Sequence, residues 1–365
     1  MSDQADRIKS AIRTQGEWCG NLGSPITAQL CEALADIIAP VTATERRLLD
    51  WDEDLVQSAF VLRITGAFHA LARKGGAPAL SALYRGESGD WPGVIRDVLN
   101  RYDDWLCPWL DSPPQTNEVG RAGVLWAGLM AVAARFDQPI ELLELGSSAG
   151  LNLNLDRFSY NLGGVRSGDP ASAVRIKPEW HGAPPPAKQP AISTRRGVDL
   201  TPVDVTDPAS AARLIAFIWA GMDERLARTA AAIAIAQAYP PRIDKADIIT
   251  WLRARLAEPQ ANGTTRVVMH SITLQYLPPE GRQEVTAMMA EAGARATPER
   301  PLARVSMEIA DVKHTPALQV TTWGSDTAHF AAVHSSALRV STWPDGAPQL
   351  LANVHPHGAV IKWLV

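Results

Sequence analysis

Residues 140–150 read IELLELGSSAG, and the choice of fold turns on them. Ile140 to Leu145 is a short, largely apolar run with Pro139 before it and a Gly/Ser turn after it. That is the pattern of a strand buried on both faces of a parallel sheet. The turn, Gly146-Ser147-Ser148-Ala149-Gly150, is made of small residues, and LNLNLDRF beyond it returns to helical character. Strand, small-residue turn and helix in that order let backbone approach a ligand closely, with helix N–H groups facing it. Glu144 stands two residues before the first glycine, and a carboxylate there suits a cationic amino group better than a pyrophosphate.

Working outward, Asn117-Glu118 reads as a helix start, followed by the apolar stripe Val119, Ala122, Leu125, Leu129, Val132 and Phe136. TRVVMHS (265–271) is a second buried-strand pattern, with a helix expected from Pro279 to Ala292. Three helices are expected before it. One starts at Asp207-Pro208 and carries Leu214, Phe217 and Ile218, one covers Met222 to Ala238, and one begins near Asp244. The Gly/Pro-rich stretch 159–190 reads as an irregular insertion with one hairpin. LARVSMEI, LQVTTW, AHFAAVHS, QLLANVH and AVIKWL near the C-terminus are strand-like and partly antiparallel. Upstream, Ile26, Leu30, Leu34 and Ile37 recur at helical spacing, and LVQSAFVLRITGAFHALA stops at the Gly75-Gly76 breaker. The expected organisation is an all-helical N-terminal cap over 1–112, closed by Pro113-Pro114, and an α/β domain over 113–365.

Composition narrows the function classes. Hydrophobic residues make up 46% and charged ones 20%, the balance of a globular chain. No apolar run approaches the roughly 20 residues that span a bilayer, and the polar start MSDQADRIKSAIRTQ has no secretory core, so no membrane partner is expected. A net charge of −4 without a Lys/Arg cluster disfavours nucleic acid and favours a small-molecule substrate. Cys19, Cys31 and Cys107 lie far apart with no CxxC, which points to a reducing cytoplasm. Twelve tryptophans, among them Trp91, Trp105 and Trp109, are most simply the filling of a helical core.

The hydrophobic-hydrophobic-Glu-hydrophobic-Gly-x-x-x-Gly pattern at 142–150 resembles the first motif of class I methyltransferases. The resemblance implies a Rossmann-like, methyltransferase-type sheet and S-adenosylmethionine as cofactor. Glu144 and the backbone of Gly146, Ser147, Ser148 and Gly150 would hold its methionine part, although serines stand where glycine is commoner. RRGVDLTP resembles the second motif of those enzymes, so Asp199 would bind the ribose and Asp204 the adenine. Asp199 lies 49 residues after Gly150, where a spacing of roughly 20 is usual, and the insertion accounts for the gap; Asp169 is nearer but has no strand before it. Asp207 is more simply a helix cap. His270 and Tyr276 stand where such enzymes place residues near the transferred methyl, with His270 a candidate general base and Ser271 and Gln275 beside them. Asn117, Glu118 and Arg121 either border the pocket or cap their own helix. QTNEVGR, ELLELGSSAGLNLNLDRFSY, RRGVDLTPVDVTDP, MHSITLQYLPP and HPHGAVIKWL together resemble a bacterial domain-of-unknown-function family, number 2332.

Two rival readings use the same residues. Gly146-Ser147-Ser148-Ala149-Gly150 also satisfies G-x-S-x-G, the nucleophile elbow of α/β-hydrolases. Ser148 would then be nucleophile, with His355 or His357 and Glu308 or Asp326 following in the required order. Against it, Glu144 would bring negative charge toward an oxyanion, and no run of strands precedes the turn. The third reading is a non-catalytic relative that binds cofactor or a partner. His355 and His357, with His329 and His334 upstream, lack metal-ligand spacing, so no metal is expected.

Overall fold

In the computed structural model, residues 2–55, 58–309, 336–343 and 348–365 are described. The strand-like runs LQVTTW and AHFAAVHS, and with them Asp326, His329 and His334, lie outside the described residues. The chain forms two compact units. One holds residues 2–116 and 207–227, the other 117–206, 228–309 and the described residues from 336 onward.

The first unit is helical, and among its described residues there is no strand. Helices α1 (Ser2–Asn21), α2 (Pro25–Ile37), α3 (Ala43–Leu49), α4 (Phe60–Lys74), α5 (Pro78–Tyr84), α6 (Trp91–Arg101) and α7 (Asp103–Leu106) run into a 3-10 turn, Cys107–Asp111. Their apolar faces meet in one core that includes Ile8, Ile12, Leu34, Phe60, Ile64, Phe68 and Trp109. Burying each such side chain contributes roughly 1.5–3 kcal/mol. Helix α3 starts with a capping box. The Thr42 side chain accepts from Glu45 N, and the Glu45 carboxylate returns to Thr42 N at 3.1 Å and takes Arg96 Nη1 at 2.8 Å. The segment 207–227 belongs to this unit rather than to the α/β region the sequence suggests. Phe217 sets its ring edge-on to Trp109, 5.7 Å between centroids, and the Arg213 guanidinium lies 4.2 Å from the Trp109 centroid.

The second unit is built on a sheet. Helix α8 (Ala122–Phe136) leads to β1 (Ile140–Leu145). β2 (Ser159–Leu162), β3 (Val165–Gly168) and β4 (Arg175–Ile176) form a small separate sheet, and β5 (Glu179–His181) and β6 (Ile192–Asp199) follow. After α9 (Pro208–Ala216) and α10 (Asp223–Ala238) come β7 (Ile243–Lys245), α11 (Ile248–Ala257), β8 (Thr265–Ser271), α12 (Pro279–Gly293) and β9 (Leu302–Ile309). β10 (Ser336–Trp343), β11 (Gln349–Val354) and β12 (Val360–Trp363) complete the chain. Among the described residues the main sheet has nine strands in the order β5-β12-β11-β10-β9-β8-β1-β6-β7. β7, β6, β1, β8 and β9 are mutually parallel; β10, β11 and β12 extend the sheet as an antiparallel meander, and β5 pairs parallel with β12. The 159–190 stretch is therefore more regular than expected. It carries the predicted hairpin as β2 and β3, and also supplies β5 to the edge of the main sheet.

The alternation of strand side chains divides the sheet into two faces. Leu143, Leu145, Val198 and Val268 pack with Trp251 and Leu252 of α11 and Val285, Met288 and Met289 of α12. Leu142 and Glu144 point the other way. Helix Val119–Phe136 is long and apolar enough in composition to cross a membrane, but it is mostly buried within the fold and packs on β9 and β10. The chain leaves β1 toward β6 and β7, then returns to the opposite side of β1 for β8 and β9. The order reverses between β1 and β8, and in open parallel sheets ligands bind outside the carboxyl ends of strands at such a point.

Candidate functional site

The carboxyl end of β1 carries Glu144, 3% exposed and in register with Gly197 of β6 and Met269 of β8. Its Oε2 is buried and has no hydrogen-bond partner among the described residues, and the same is true of Ser148 Oγ and Asn152 Oδ1. A buried polar atom left unpaired costs about 1–3 kcal/mol, so three around one turn are a feature to be explained. Burial pushes the Glu144 carboxyl up to about 8; the Ser147 side chain opposes that change and the charge of Asp199 reinforces it.

The turn itself is held from several directions. Gly146 has φ +67°, and a Cβ there would lie 2.4 Å from the Thr273 methyl, so only glycine fits. Ser147 is fully buried. Its amide donates to Val198 O at 3.0 Å, its hydroxyl donates to Glu144 O at 3.1 Å, and it fills the space that a side chain at Gly197 would need. The Ser148 amide donates to Asp199 Oδ2 at 2.8 Å, and the Leu151 amide to Asn117 Oδ1 at 2.9 Å. Beyond Gly150 the stretch read as helical, LNLNLDRF, forms a 3-10 helix, Leu151–Arg157, broken at Asn154.

Two backbone outliers flank this edge of the sheet. Ser148 has φ +52° and Ile272, just past β8, has φ +50°. For a β-branched residue that is a strained conformation, and strain of this kind collects at functional sites. Thr273 beyond it donates its hydroxyl to Leu145 O at 3.3 Å, tying the two loops together.

The segment 117–121 crosses the same edge. Asn117 caps the turn as above, and Glu118 O accepts from Asn152 Nδ2 at 3.4 Å. Glu118 Oε1 takes the Gly120 amide at 2.9 Å and lies 3.6 Å from Arg228 Nη2. Arg121 donates to Ser271 O at 3.2 Å and to Pro356 O at 2.9 Å, joining the end of β8 to the His355-Pro356-His357 turn between β11 and β12. His355 Nδ1 accepts from His357 N at 3.1 Å, so its proton sits on Nε2 when the ring is neutral. Glu144, the 146–150 turn, Asp199, Asn117, Glu118, Arg121 and Ser271 are thus brought to one edge. Asp199 uses its carboxylate on the Ser148 and Thr201 amides, the latter at 2.9 Å.

Other expected residues are placed elsewhere. Register pairs Leu145 with His270 and Glu144 with Met269, so His270 projects onto the face opposite Glu144, where it is fully buried. Its Nδ1 donates to Glu308 Oε1 at 2.6 Å and its Nε2 accepts from Arg304 Nε at 3.0 Å, which leaves neither nitrogen for a substrate. Burial lowers its pKa, against the opposing pull of Glu308. Glu308 is therefore the partner of His270, not the acid of a Ser148 triad. Tyr276, in the 3-10 turn Leu274–Tyr276 with the half-buried Gln275, is 73% exposed. Asp204 is exposed and folds its carboxylate onto Thr206 N and Oγ1, at 2.8 and 2.6 Å. Asp207 caps its helix through Ser210 N at 2.8 Å. Asp169 is exposed and closes a turn through Ala171 N.

Asn152, Thr273, Arg228 and Gly197 belong to this edge and were not singled out by sequence reasoning. The alternation Leu151-Asn152-Leu153-Asn154-Leu155 is a signal for the first, since two amides among three leucines are buried with them. Among the described residues no cluster of His, Cys, Asp and Glu is arranged to hold a metal ion. Comparison with curated proteins and with solved structures gives no match. The family model described as an uncharacterized protein conserved in bacteria (DUF2332) matches residues 9–363, and the chain belongs to that family.

Proposed function

We propose that this chain is an S-adenosylmethionine-dependent methyltransferase acting on a small molecule. The observation that carries the reading is the buried, unpartnered Oε2 of Glu144 at the carboxyl end of the central strand, beside the switch point. With Ser148 Oγ and Asn152 Oδ1 it makes an acceptor-rich lining, which a cationic ammonium satisfies and a phosphate does not. Two amides that a pyrophosphate would use, Ser148 N and Leu151 N, are already given to Asp199 and Asn117. The parallel order β7-β6-β1-β8-β9 supports a nucleotide-type sheet, being the 3-2-1-4-5 core of doubly wound folds, although the antiparallel meander beyond β9 departs from it.

Bound S-adenosylmethionine would supply an electrophilic methyl group on a sulfonium. Glu144 would hold the ammonium and Asp199, which keeps lone pairs beyond its two amide bonds, the ribose hydroxyls. The 117–121 segment and the loop after β8 would align the acceptor, and alignment is the main contribution a protein makes to such a displacement. Ser148 at φ +52° also fits a strained nucleophile elbow. A hydrolase, however, needs a base on that hydroxyl, and Ser148 Oγ has no partner among the described residues.

Titration calorimetry with S-adenosylhomocysteine tests the proposal. Binding is expected, weakened by about 1.5–3 kcal/mol in Glu144→Ala, the cost of a lost charge-assisted bond. No heat and no thermal shift at millimolar ligand would sink it, and labelling of Ser148 by a fluorophosphonate on the same preparation would move the assignment to a hydrolase.

A further inference from the structure

The cofactor reading leaves open how a carboxyl so thoroughly removed from water comes to face a cation. Arginines of the neighbouring elements are engaged with other groups. Arg195 of β6 forms a two-pronged pair with Asp156, 2.6 and 2.8 Å; Arg228 of α10 lies against Glu118, and Arg121 binds two backbone carbonyls. Across the register, β8 offers Met269 and β6 offers Gly197, neither of them titratable. The turn contributes Ser147 and Ser148, and the 3-10 helix contributes Asn152, all neutral. Asp199 at the end of β6 is the charge that acts on Glu144, and it is of the same sign.

We propose that Glu144 is a proton-for-cation exchange site: its buried carboxyl, whose Oε2 has no partner among the described residues, is neutral in the free protein and gives up its proton when the ammonium group of the ligand arrives. The inference rests on the cofactor reading above and adds to it a stoichiometry. One O–H bond of the carboxylic acid breaks, the proton leaves to solvent, and the carboxylate formed pairs with the ammonium, so charge is conserved and no redox partner is needed. An anion alone in that position would be opposed by burial and by Asp199; a neutral acid beside the ammonium would forfeit the ion pair. The carboxyl's raised pKa, about 8, sets the range over which the exchange is visible.

The experiment is calorimetric titration of the full chain with S-adenosylhomocysteine from pH 6 to 9, each point in two buffers of different ionisation heat. Below about pH 8 the affinity is expected to rise close to tenfold per pH unit, with about one proton released per ligand at pH 6 and almost none at pH 9. Glu144→Gln, which keeps the shape and cannot ionise, is expected to bind with no pH slope in that range and no released proton. Binding by the wild type with a flat pH profile and no buffer-dependent heat overturns the exchange while leaving the cofactor reading intact. Absence of binding at every pH overturns both.

Discussion

A glutamate with a raised pKa makes folding depend on pH, and the sign at Glu144 can be worked out. In the unfolded chain its carboxyl titrates near the ordinary value of about 4.3, and in the folded chain at about 8. The folded state holds the proton more tightly, so its contribution is fully present below about pH 4.3 and is lost as pH rises to about 8. At pH 8.5 the loss is on the order of several kcal/mol, since each tenfold difference in proton affinity between the two states is worth about 1.36 kcal/mol. Glu144→Gln removes this dependence. The variant is expected to melt close to the wild type at pH 5 and well above it at pH 8.5. Equal melting temperatures at pH 8.5 would show that folding does not raise the pKa of this carboxyl. At this scale the sequence was informative because the signal is local. A carboxylate at a strand end before a small-residue turn is visible in eleven consecutive letters, 140–150. Its protonation is not, because desolvation depends on Leu, Gly and Met side chains or backbone brought from three strands.

The same limit explains His270 at the scale of elements. Residues of a buried strand alternate between faces, and an apolar run such as TRVVMHS does not say which face meets the site. Register answers it: Val268 opposes Arg304 and His270 opposes Ser306, so His270, Arg304 and Glu308 share the side covered by α12, where Arg304 Nη1 reaches Thr286 Oγ1 at 3.4 Å. Glu308 Oε1 takes three donors, His270 Nδ1 and the amides of Thr273 and Leu274, the last two at 3.1 and 3.4 Å. Burial alone would raise the Glu308 pKa, but these bonds outweigh it and hold the carboxyl below its usual range. The chain Arg304–His270–Glu308 therefore fixes the loop in which Ile272 is strained, acting on the site by position. Glu308→Ala removes the negative charge that acts on the half-buried Arg304 and strips the His270 ring and two loop amides of their acceptor. It is expected to cost about 3–5 kcal/mol in denaturant unfolding, with Glu308→Gln costing less because an acceptor remains. A loss under about 1 kcal/mol for the alanine variant, no more than one ordinary hydrogen bond, would show that the network does not anchor the loop.

The whole chain is divided in space differently from the way it is divided in sequence. Length and hydrophobic pattern separate a helical beginning from an α/β remainder, and Pro113-Pro114 falls close to the observed passage at residues 116–117. What the pattern cannot show is that residues 207–227, placed between β6 and β7, return to the helical unit. An amphipathic helix names its apolar face but not its partner. Here that partner is the first hundred residues: His69 Nδ1 meets Ala216 O at 3.0 Å, Ser24 Oγ donates to Ala220 O at 2.6 Å, and Phe217 fills the space beside Gly66, 2.6 Å from where a Cβ would stand. β10 was missed for a related reason, since SALRVSTW has only a weak alternation and gains its place from β9 and β11 on either side. The interleaving has a consequence for dissection of the protein. A chain beginning at Asn117 keeps every described strand of the sheet but leaves Ala216 and Phe217, 2% and 8% exposed in the intact chain, without their core. Exposing these side chains costs several kcal/mol at roughly 25 cal/mol per Å² of apolar surface and offers an apolar patch for association. The truncated protein is therefore expected to aggregate, or to be cut by protease within 207–227, while the full chain resists at those positions. Hydrogen exchange resolved by peptide reads the same difference, as lost protection over Pro208–Ala216 that leaves β1, β6 and β8 slow. Full protection of 207–227 in the truncated chain would mean that this segment finds its stability within the sheet unit, and that the helical unit ends at residue 116.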